Sequence, residues 1–534
     1  MPTRRKSVKP KTTAKPKAAK APARVSSKSM FKRVLIANRG EIAVRVIRAC
    51  RDLGLESVAV YSEADRSALH VREADHAVLV GPAPAAESYL KIDHILDAAK
   101  RTGADAIHPG YGFFSENAGF ARAVEKAGIV WIGPPPEAIE RMGDKVEARK
   151  LMAKAGVPVV PGSPDTLETE EEVRAIAKKI GFPIMIKAAA GGGGKGLRLV
   201  DSDKDLASIV RMVSSEAKAS FGDGRFYVEK FVRNPRHIEM QVLADQYGNT
   251  VHVFERECSI QRRNQKVVEE SPSPFVTPEM RKKMGEVAVK AAKAVNYCSA
   301  GTIEFLADAD HNFYFLEMNT RIQVEHPVTE MVTGIDLVRT QMEIAAGRPL
   351  PFKQSDLAQR GWAIECRIYA EDPEAGFVPA PGKIETLRFP DGPGIRNDAG
   401  VYSGSEVPIF YDPMISKLAA WGADRAQAID RMRRALSECI IAGELTTNLS
   451  FHRWIVNHPE FLAGNFDTGF IGREYHPGAL AGTSSDQART AAMLLAAIAM
   501  QRGAGNGNGQ AAAGPARTNV SAWRTLGRID MLRR

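Results

Sequence analysis

The sequence predicts a multidomain protein that combines α/β and α+β architecture. Its 534 residues are enough for several domains with substantial cores. Residues 31–132 alternate short apolar runs with amphipathic helices, which is the pattern of a parallel sheet wrapped by helices. Two later segments, 237–260 and 301–319, each contain two apolar runs joined by a turn, which predicts antiparallel hairpins. We therefore expect a parallel α/β region followed by antiparallel sheet.

The first region shows the alternation most clearly. Its predicted strands cover residues 34–37, 57–61 and 129–132, and its predicted helices cover 41–51 and 91–101. The junction at 38–41 could bring helix amides to an anion, but its one glycine is equally typical of a tight turn. The run Gly133-Pro134-Pro135-Pro136 then ends the pattern, which indicates a domain boundary.

A glycine-rich segment lies between two predicted strands, 183–187 and 197–200. It contains four consecutive glycines: Gly191, Gly192, Gly193 and Gly194. Such a backbone can curl its amides around phosphate oxygens and can also move. Lys195 is followed by glycine rather than Ser or Thr, which excludes the Walker motif, and the segment leads into a strand, which excludes the dinucleotide fingerprint. We interpret it as a flap over a nucleotide with Lys187 at its foot, since a disordered linker fits poorly between two strands.

The stretch 313–330, FYFLEMNTRIQVEHPVTE, carries the strongest functional pattern. Its polar side chains fall on odd positions, namely Glu317, Asn319, Arg321, Gln323 and Glu325. An extended backbone alternates faces with a period of two, so all five side chains would project together. Carboxylate and amide oxygens suit a hard cation, and a hairpin with 301–307 would add Glu304 opposite Glu317. A solvated strand face is the alternative, but the even positions are largely apolar.

Two further segments are candidates for ligand contacts, and new structural elements follow them. Residues 227–230 form a short β-like run that ends in a charge pair, which suits the adenine edge and the phosphates of a nucleotide but is also found in surface strands. The charged segment 255–266 is either a solvated loop or an anion site facing the acidic stretch, and we favour the anion site. A new strand predicted over 362–371 contains Arg367, and a helix is predicted over 424–439.

Charge and cysteine content limit the functional classes. The net charge is +10, but residues 1–29 hold ten Lys and Arg and no acid, so the rest of the chain is neutral. This tail lacks large apolar residues and is predicted to be disordered. A nucleic-acid-binding role would depend on it alone, because the body shows no interleaving of basic and aromatic residues. Five scattered cysteines indicate a reducing cytoplasm rather than a disulfide framework or zinc site, and no apolar run is long enough for a membrane span.

Several motifs together resemble biotin carboxylase, the ATP-grasp enzyme of the biotin-dependent carboxylases. Besides the glycine flap they are IANRGEIA at 36–43, HPGYG at 108–112, MGDK at 142–145, ERECSIQRRNQKVVEE at 255–270 and EMNTRIQVEHPVTE at 317–330. The resemblance spans residues 30 to 475 approximately. It implies a disordered basic tail (1–29), a Rossmann-like N-terminal domain (30–141), an ATP-grasp domain (142–350) with a mobile lid near 159–231, a biotin carboxylase C-terminal domain (362–475) and a C-terminal extension (476–534) with one apolar helix.

The resemblance also implies a role for each matching residue. Nucleotide binding falls to the four glycines and to Lys145, Lys187, Glu229, Lys230, His237, Gln261, Glu304 and Glu317. Magnesium falls to Glu304, Glu317 and Asn319, and bicarbonate to Lys266, Arg321, Gln323 and Val324. Glu325 is the implied base, Arg367 the residue that stabilises the biotin enolate, and Arg321 and Lys266 complete the catalytic set.

The implied reaction is the ATP- and bicarbonate-dependent carboxylation of biotin through carboxyphosphate, the first step of an acetyl-CoA or acyl-CoA carboxylase, as in fatty acid biosynthesis. Its cofactors are ATP and Mg²⁺, for which Mn²⁺ can substitute. Biotin is expected in trans, because a biotinyl domain presents its lysine within Met-Lys-Met and no such triplet occurs here. The expected partners are a biotin carboxyl carrier protein, a carboxyltransferase and a second copy of the chain in a homodimer, with no nucleic acid and no membrane.

Two departures from the family pattern are visible. Asn264 stands where several relatives carry histidine, which leaves the nucleotide contact there open, and Ala190 replaces what is often the first glycine of the flap. The alternative function is another bicarbonate-activating ATP-grasp ligase, such as half of a carbamoyl phosphate synthetase. Arg367 and the C-terminal region favour biotin.

Overall fold

The computed structural model describes residues 30–189, 197–221, 223–476 and 478–482. The chain divides into two units, residues 1–479 and 480–534, and only residues 480–482 of the second unit are described. Three sequence predictions therefore lie outside the described residues. They concern the basic tail, the flap glycines Gly191–Gly194 with Ala190, and the apolar helix of the C-terminal extension.

The first sheet has five parallel strands. They are β1 (Arg33–Ile36), β2 (Glu56–Ser62), β3 (His76–Gly81), β4 (Ala106–His108) and β5 (Val130–Trp131), in the order β3-β2-β1-β4-β5. The accompanying helices are α1 (Gly40–Leu53), α2 (Leu69–Glu73), α3 (Ile92–Thr102), α4 (Ala118–Lys126) and α5 (Pro136–Gly143). Val34, Leu35 and Ile36 are fully buried, as expected for a central parallel strand covered on both faces. The predicted parallel α/β region is confirmed.

A small antiparallel sheet follows. Its strands are β6 (Ile184–Ala188), β7 (Leu197–Val200) and β8 (Phe226–Lys230), in the order β7-β6-β8. Helices α7 (Glu170–Ile180) and α8 (Asp203–Phe221) pack on it, and helix α6 (Lys145–Lys154) precedes it in the chain. Strands β6 and β7 pair so that Lys187 lies opposite Leu197. The two strands predicted on either side of the glycine-rich segment thus form a hairpin.

The largest sheet has eight strands. Its first part consists of β9 (Arg236–Ala244), β10 (Thr250–Arg262), β11 (Gln265–Ser271), β12 (Ser299–Ala307), β13 (Phe313–Asn319) and β14 (Trp362–Tyr369), with the helices α9 (Pro278–Ala294), α10 (His326–Thr333) and α11 (Leu337–Ala345). Both predicted hairpins are present, as β9–β10 and β12–β13. On one face, Ile238, Met240 and Phe305 are fully buried in a cluster that includes residues of α9.

The remaining elements complete this sheet and surround its far end. The strands are β15 (Glu371–Asp372), β16 (Val378–Pro379), β17 (Gly382–Arg388), β18 (Ile395–Ala399), β19 (Glu406–Val407), β20 (Met414–Gly422) and β21 (Ile440–Gly443), and the helices are α12 (Arg425–Glu438), α13 (Leu449–Ile455), α14 (Pro459–Ala463) and α15 (Phe470–Glu474). The full order of the large sheet is β13-β12-β9-β10-β11-β14-β20-β18. Because β20 and β18 extend it, one sheet continues across the predicted boundary at 350–362. Helix α12 agrees with the prediction over 424–439.

One prediction about the backbone is wrong. The extended conformation expected through Glu325 ends at Asn319, and residues 320–325 form a loop before α10 begins at His326. Pro327 in the first turn of α10 suits a helix start, because its fixed φ is helical and its missing N–H would have no partner there. The loop is anchored by Ile322, which is fully buried.

All five cysteines are free thiols, and four of them are buried. This agrees with the absence of a disulfide framework expected from their scattered positions. Among the described residues, none of the helices combines the length and the apolar character needed to cross a bilayer.

Candidate active site

The face of the large sheet opposite α9 is polar, and the strand period explains why. In β9 the side chains of His237, Glu239 and Gln241 alternate with apolar ones and therefore share one face. The register sets Glu304 of β12 opposite Glu239 on one side and opposite Glu317 of β13 on the other, as the sequence predicts for the second pair. Charged side chains from several strands thus meet on a single surface.

The polar face borders one cavity of about 540 Å³. The predicted residues that line it are Lys145, Lys187, Glu229, His237, Gln261, Lys266, Glu304, Glu317, Asn319, Arg321, Gln323, Val324, Glu325 and Arg367. Lys230 does not line it, because its amino group donates to the backbone carbonyls of Gly181 and Phe182, at 3.1 and 2.8 Å. The structure thus brings the predicted set together, except for Lys230. The flap glycines lie outside the described residues.

Lys266 is the centre of the charge network. Its Nζ donates to Glu239 Oε2 at 2.6 Å, to Glu304 Oε1 at 2.8 Å and to Glu325 Oε1 at 2.7 Å. Burial alone would lower the pKa of Lys266, but the three carboxylates raise it well above its usual value. A permanently charged ammonium group therefore joins three acidic side chains that would otherwise repel one another.

Glu325 lies between two cations at the start of α10. Its second oxygen, Oε2, accepts a hydrogen bond from Arg367 Nη2 at 2.9 Å. Burial favours the neutral acid, but Lys266 and Arg367 outweigh it and hold the pKa of Glu325 below its usual value. The carboxylate is therefore ionised and able to accept a proton.

Glu304, Glu317 and Asn319 form the candidate magnesium site. Although burial opposes it, Lys266 and His237 hold the pKa of Glu304 well below its usual value. Burial raises the pKa of Glu317, and the charge of Glu304 raises it further. Two carboxylates and an amide oxygen are ligands that a hard cation prefers, and a cation between the carboxylates would relieve this repulsion. The residues therefore fit magnesium.

Two other groupings resemble metal sites but are already neutralised by cations. Glu239 joins His237 and Glu304 in one grouping, and Cys258 and Glu325 in the other. The two oxygens of Glu239 already accept hydrogen bonds from Arg256 and Lys266. Burial keeps the pKa of Cys258 well above its usual value, so this side chain remains a neutral thiol, which is a poor metal ligand.

The opposite end of the cavity is more open and lies under the β6–β7 hairpin. Lys187 Nζ is 2.5 Å from Glu229 Oε2, and Arg149 Nε is 3.3 Å from Glu229 Oε1. Asn264, one of the two departures from the family pattern, also lines the cavity. It follows Arg263 in the two-residue turn between β10 and β11, where both residues have positive φ, 49° and 67°. Asparagine tolerates this conformation better than most residues, so the turn itself favours it.

Three residues of the network are given no individual role by the sequence analysis. Glu239 could have been found, because β9 alternates polar and apolar residues as clearly as β13 does. The fully buried Arg256 lies on β10 within the charged segment 255–266 that is expected to bind an anion. The pairing of Glu116 with Arg321 could not have been found, because the two residues are 205 positions apart. Glu116 pairs with Arg321 at 2.9 Å, so the guanidinium group of Arg321 contacts Glu116 and Asn319 rather than Glu325.

Family models match most of the chain. The model "Biotin carboxylase, N-terminal domain" matches residues 30–139, "Carbamoyl-phosphate synthase L chain, ATP binding domain" matches 144–353, and "Biotin carboxylase C-terminal domain" matches 365–473. The chain belongs to the biotin carboxylase family. Since the regions on both sides of the ATP-binding region match biotin carboxylase, family membership favours this enzyme over half of a carbamoyl phosphate synthetase.

Individual members of the family are similar over nearly their whole length. Biotin carboxylase of Nostoc sp. is 55% identical over 441 residues, which cover 83% of this chain and 98% of the relative. The biotin carboxylase domain dimer of Hydrogenobacter thermophilus 2-oxoglutarate carboxylase, in complex with MgADP, ADP and bicarbonate, aligns with a TM-score of 0.80 and 49% identity over 85% of this chain and 99% of that one. The Campylobacter jejuni biotin carboxylase in complex with β,γ-ATP aligns with a TM-score of 0.80 and 47% identity over 83% and 99%.

Proposed function

We propose that the chain carboxylates biotin with bicarbonate and ATP, and that the cavity on the polar face of the large sheet is its active site. The observation that carries the proposal is that residues matching ATP, bicarbonate and biotin positions line one cavity. We also propose the domain division 30–141, 142–350 and 362–475 with a lid near 159–231, and assign the remaining chain to a tail and an extension.

ATP would lie between the β6–β7 hairpin and the polar face. Lys187 and Lys145, which both line the cavity, carry the positive charge needed beside its phosphates. Glu304, Glu317 and Asn319 would hold magnesium, which when bound neutralises charge on the phosphates and favours phosphoryl transfer. Glu229, His237 and Gln261 are assigned to the nucleotide because they match nucleotide-binding positions of the family and line the same cavity.

Bicarbonate would bind beside Lys266, Arg321, Gln323 and Val324. Glu325 is ionised and buried, so it can take the bicarbonate proton, and the resulting oxygen attacks the γ-phosphorus of ATP. The bond from this phosphorus to the bridging oxygen of ADP breaks, and carboxyphosphate forms. Lys266 stabilises the charge of Glu325 before this proton transfer. During the transfer it stabilises the bicarbonate anion.

Biotin would be carboxylated at N1. Carboxyphosphate breaks down to carbon dioxide and phosphate, and the phosphate removes the N1 proton. Arg367 stabilises the negative charge that develops on the ureido oxygen, and N1 then forms a bond with the carbon of carbon dioxide. The guanidinium group of Arg367 lines the cavity next to Glu325, so the two half-steps would occur side by side.

The partners belong to the same proposal. Biotin would be presented by a biotin carboxyl carrier protein, and carboxybiotin would pass to a carboxyltransferase, so the acyl-CoA substrate is chosen elsewhere. A homodimer is proposed because the Hydrogenobacter domain forms a dimer.

ATP cleavage measured with and without bicarbonate and free biotin tests the function. We expect hydrolysis to require bicarbonate, to rise with biotin and to yield carboxybiotin. Bicarbonate-dependent ATP cleavage that does not respond to biotin, and that yields carbamoyl phosphate when ammonia is added, would favour the alternative ligase. Cleavage independent of bicarbonate would exclude both functions.

A further inference from the structure

Glu269 is a buried carboxylate next to the proposed site that none of the steps above uses. It lies on β11, and its side chain is fully buried. Arg367 Nε donates to Glu269 Oε1 at 2.6 Å, and Arg367 Nη2 lies 2.6 Å from the same oxygen and 2.9 Å from Glu325 Oε2. The guanidinium group of Arg367 is therefore held between two carboxylates from different elements.

The backbone of Arg367 is held as well. Its carbonyl oxygen lies 2.7 Å from His452 Nε2 and accepts a hydrogen bond from Asn448 Nδ2 at 3.0 Å. An arginine has several rotatable bonds, and a fixed backbone does not by itself fix its far end. Contact with Glu269 restricts the guanidinium group, because an arginine fork keeps its orientation when Nε and Nη2 meet the same carboxylate.

The surroundings of the second oxygen of Glu269 indicate that the hydrogen bonds of this carboxylate go to Arg367. Oε2 is buried and has no hydrogen-bond partner among the described residues. The hydrogen-bonded ion pair of Glu269 is therefore the one that Oε1 forms with Arg367. Directly across the strand pair lies Glu365, which is also buried and whose two oxygens have no hydrogen-bond partner. Burial raises the pKa of Glu365 well above its usual value, so it stays neutral and does not compete for the guanidinium group.

We propose that Glu269 is a positioning residue that holds the guanidinium group of Arg367 where it meets the ureido oxygen of biotin. Glu325 cannot do this alone, because it gains a proton in the bicarbonate step and its attraction for Arg367 then weakens. Glu269 takes no part in that proton transfer. Burial raises the pKa of Glu269 to about 7 against the charge of Arg367, so above neutral pH the carboxylate is ionised and keeps the arginine in place through the cycle. The inference rests on the proposed function of Arg367.

Glu269→Gln is the main test, with Glu270→Gln as its matched control. Glu270 is the next residue and is equally buried, but it pairs with Arg425 and Trp362, away from the cavity. We expect Glu269→Gln to lower biotin carboxylation by about 10- to 100-fold, the range seen when a reacting group is slightly misplaced. In Glu269→Gln, biotin carboxylation should fall by a larger factor than biotin-independent ATP cleavage. Glu270→Gln should lower the melting temperature but leave the ratio of biotin carboxylation to biotin-independent ATP cleavage unchanged.

A double-mutant cycle with Arg367→Ala separates positioning from a general structural role. If Glu269 acts through Arg367, Glu269→Gln should cause no further loss of biotin carboxylation in the Arg367→Ala background. An equal loss in both backgrounds, or an unchanged ratio of rates in Glu269→Gln, would overturn the inference. If Arg367→Ala itself left biotin carboxylation unaffected, the proposed role of Arg367 would fail first. Should Glu269→Gln not fold, Glu269→Asp, which keeps the charge on a shorter side chain, gives the same comparison.

Discussion

Lys266 shows how a single residue makes a concentrated acidic site stable. Glu239, Glu304 and Glu325 would each be costly to bury as isolated charges, and together they would repel one another. Their shared contact with one ammonium group removes most of this cost and keeps Glu325 ionised. Glu317 lies 3.9 Å from Lys145 and has no hydrogen bond to Lys266, and we assign it to the metal.

Replacing Glu317 with glutamine should weaken the metal site selectively. The variant keeps the side-chain volume but removes one charged ligand, so the Mg²⁺ concentration giving half-maximal ATP cleavage should rise by about tenfold or more, a loss that is typical even for partners of metal ligands. Mn²⁺ binding measured by electron paramagnetic resonance provides a readout besides activity. Asp310→Asn, on the exposed turn between β12 and β13, is the control. An unchanged Mg²⁺ requirement would contradict the assignment.

Replacing Glu325 with glutamine should remove the base. Bicarbonate-dependent ATP cleavage is expected to fall by about 10²- to 10⁴-fold, the usual contribution of a positioned base. Lys266 and Arg367 hold the pKa of Glu325 below its usual value of 4.5. The wild-type base therefore stays ionised as the pH falls from neutral toward 4.5. Wild-type activity measured over this range should not show the titration of a normal glutamate. Full activity of the variant would assign the base to another group.

At the scale of elements, alternation within a strand was readable from sequence, but the end of the strand was not. The polar positions of β13 correctly predicted that Glu304 faces Glu317. The prediction failed beyond Asn319, where burial of Ile322 and the proline at the start of α10 override a continued strand. Arg321, Gln323 and Glu325 still reach the cavity because the loop turns toward it. The pairing of Glu116 with Arg321 has no local sequence signal, since only the tertiary fold brings the two residues together.

The β6–β7 hairpin should behave as a lid. Its strands flank the glycine-rich segment, and Lys187 on β6 lines the cavity, so bound nucleotide would contact the hairpin from below. Hydrogen exchange of residues 185–200 should slow when ATP and Mg²⁺ are added. The turn at 245–249, which joins β9 and β10 far from the opening, should exchange equally in both states. Equal exchange of the hairpin itself would exclude the lid.

Arg256 links three strands of the large sheet to α10. Its guanidinium group pairs with Glu239 on β9 and donates to Thr302 on β12 and to Thr329 on α10, and the whole side chain is fully buried. Arg256→Met would leave Glu239 with a reduced countercharge, so the free energy of unfolding should fall by about 3–5 kcal/mol. Urea denaturation measures this loss. Arg281→Met, which removes a partly exposed arginine from its pair with the buried Glu255, should cost less, and an equal cost would argue against a special role for Arg256.

At the scale of the molecule, charged side chains connect the parallel sheet region to the site. Arg45 on α1 pairs with Glu330 of α10 at 3.0 Å, and Arg396 on β18 reaches the same carboxylate at 2.7 Å. Lys417, fully buried on β20, lies 3.2 Å from Glu41 on α1 and donates to the carbonyl of Val324 at 2.9 Å. The loop that carries the bicarbonate residues is thus held by elements from both ends of the described chain.

Buried titratable groups should make the stability of the whole molecule depend on pH. Burial lowers the pKa of His70, His108 and His452 from 6.5 to about 4. The unfolded chain therefore binds more protons than the folded one between these values, so the stability from these groups is complete above pH 6.5 and is lost as the pH falls toward 4. Burial raises the pKa of Glu41 and Glu269 from 4.5 to about 7, so their contribution has the opposite sign and is lost as the pH rises toward 7.

We expect the three buried histidines to contribute a fall in the free energy of unfolding as the pH drops from 6.5 toward 4. His452→Gln removes one titrating group, so it should make this decline shallower by about 1.4 kcal/mol per pH unit. Urea denaturation at a series of pH values measures the two slopes, and His476→Gln, at an exposed position, should leave the wild-type slope unchanged. Parallel curves for wild type and His452→Gln would mean that His452 titrates alike in the folded and unfolded chain, which its full burial beside the carbonyl of Arg367 argues against.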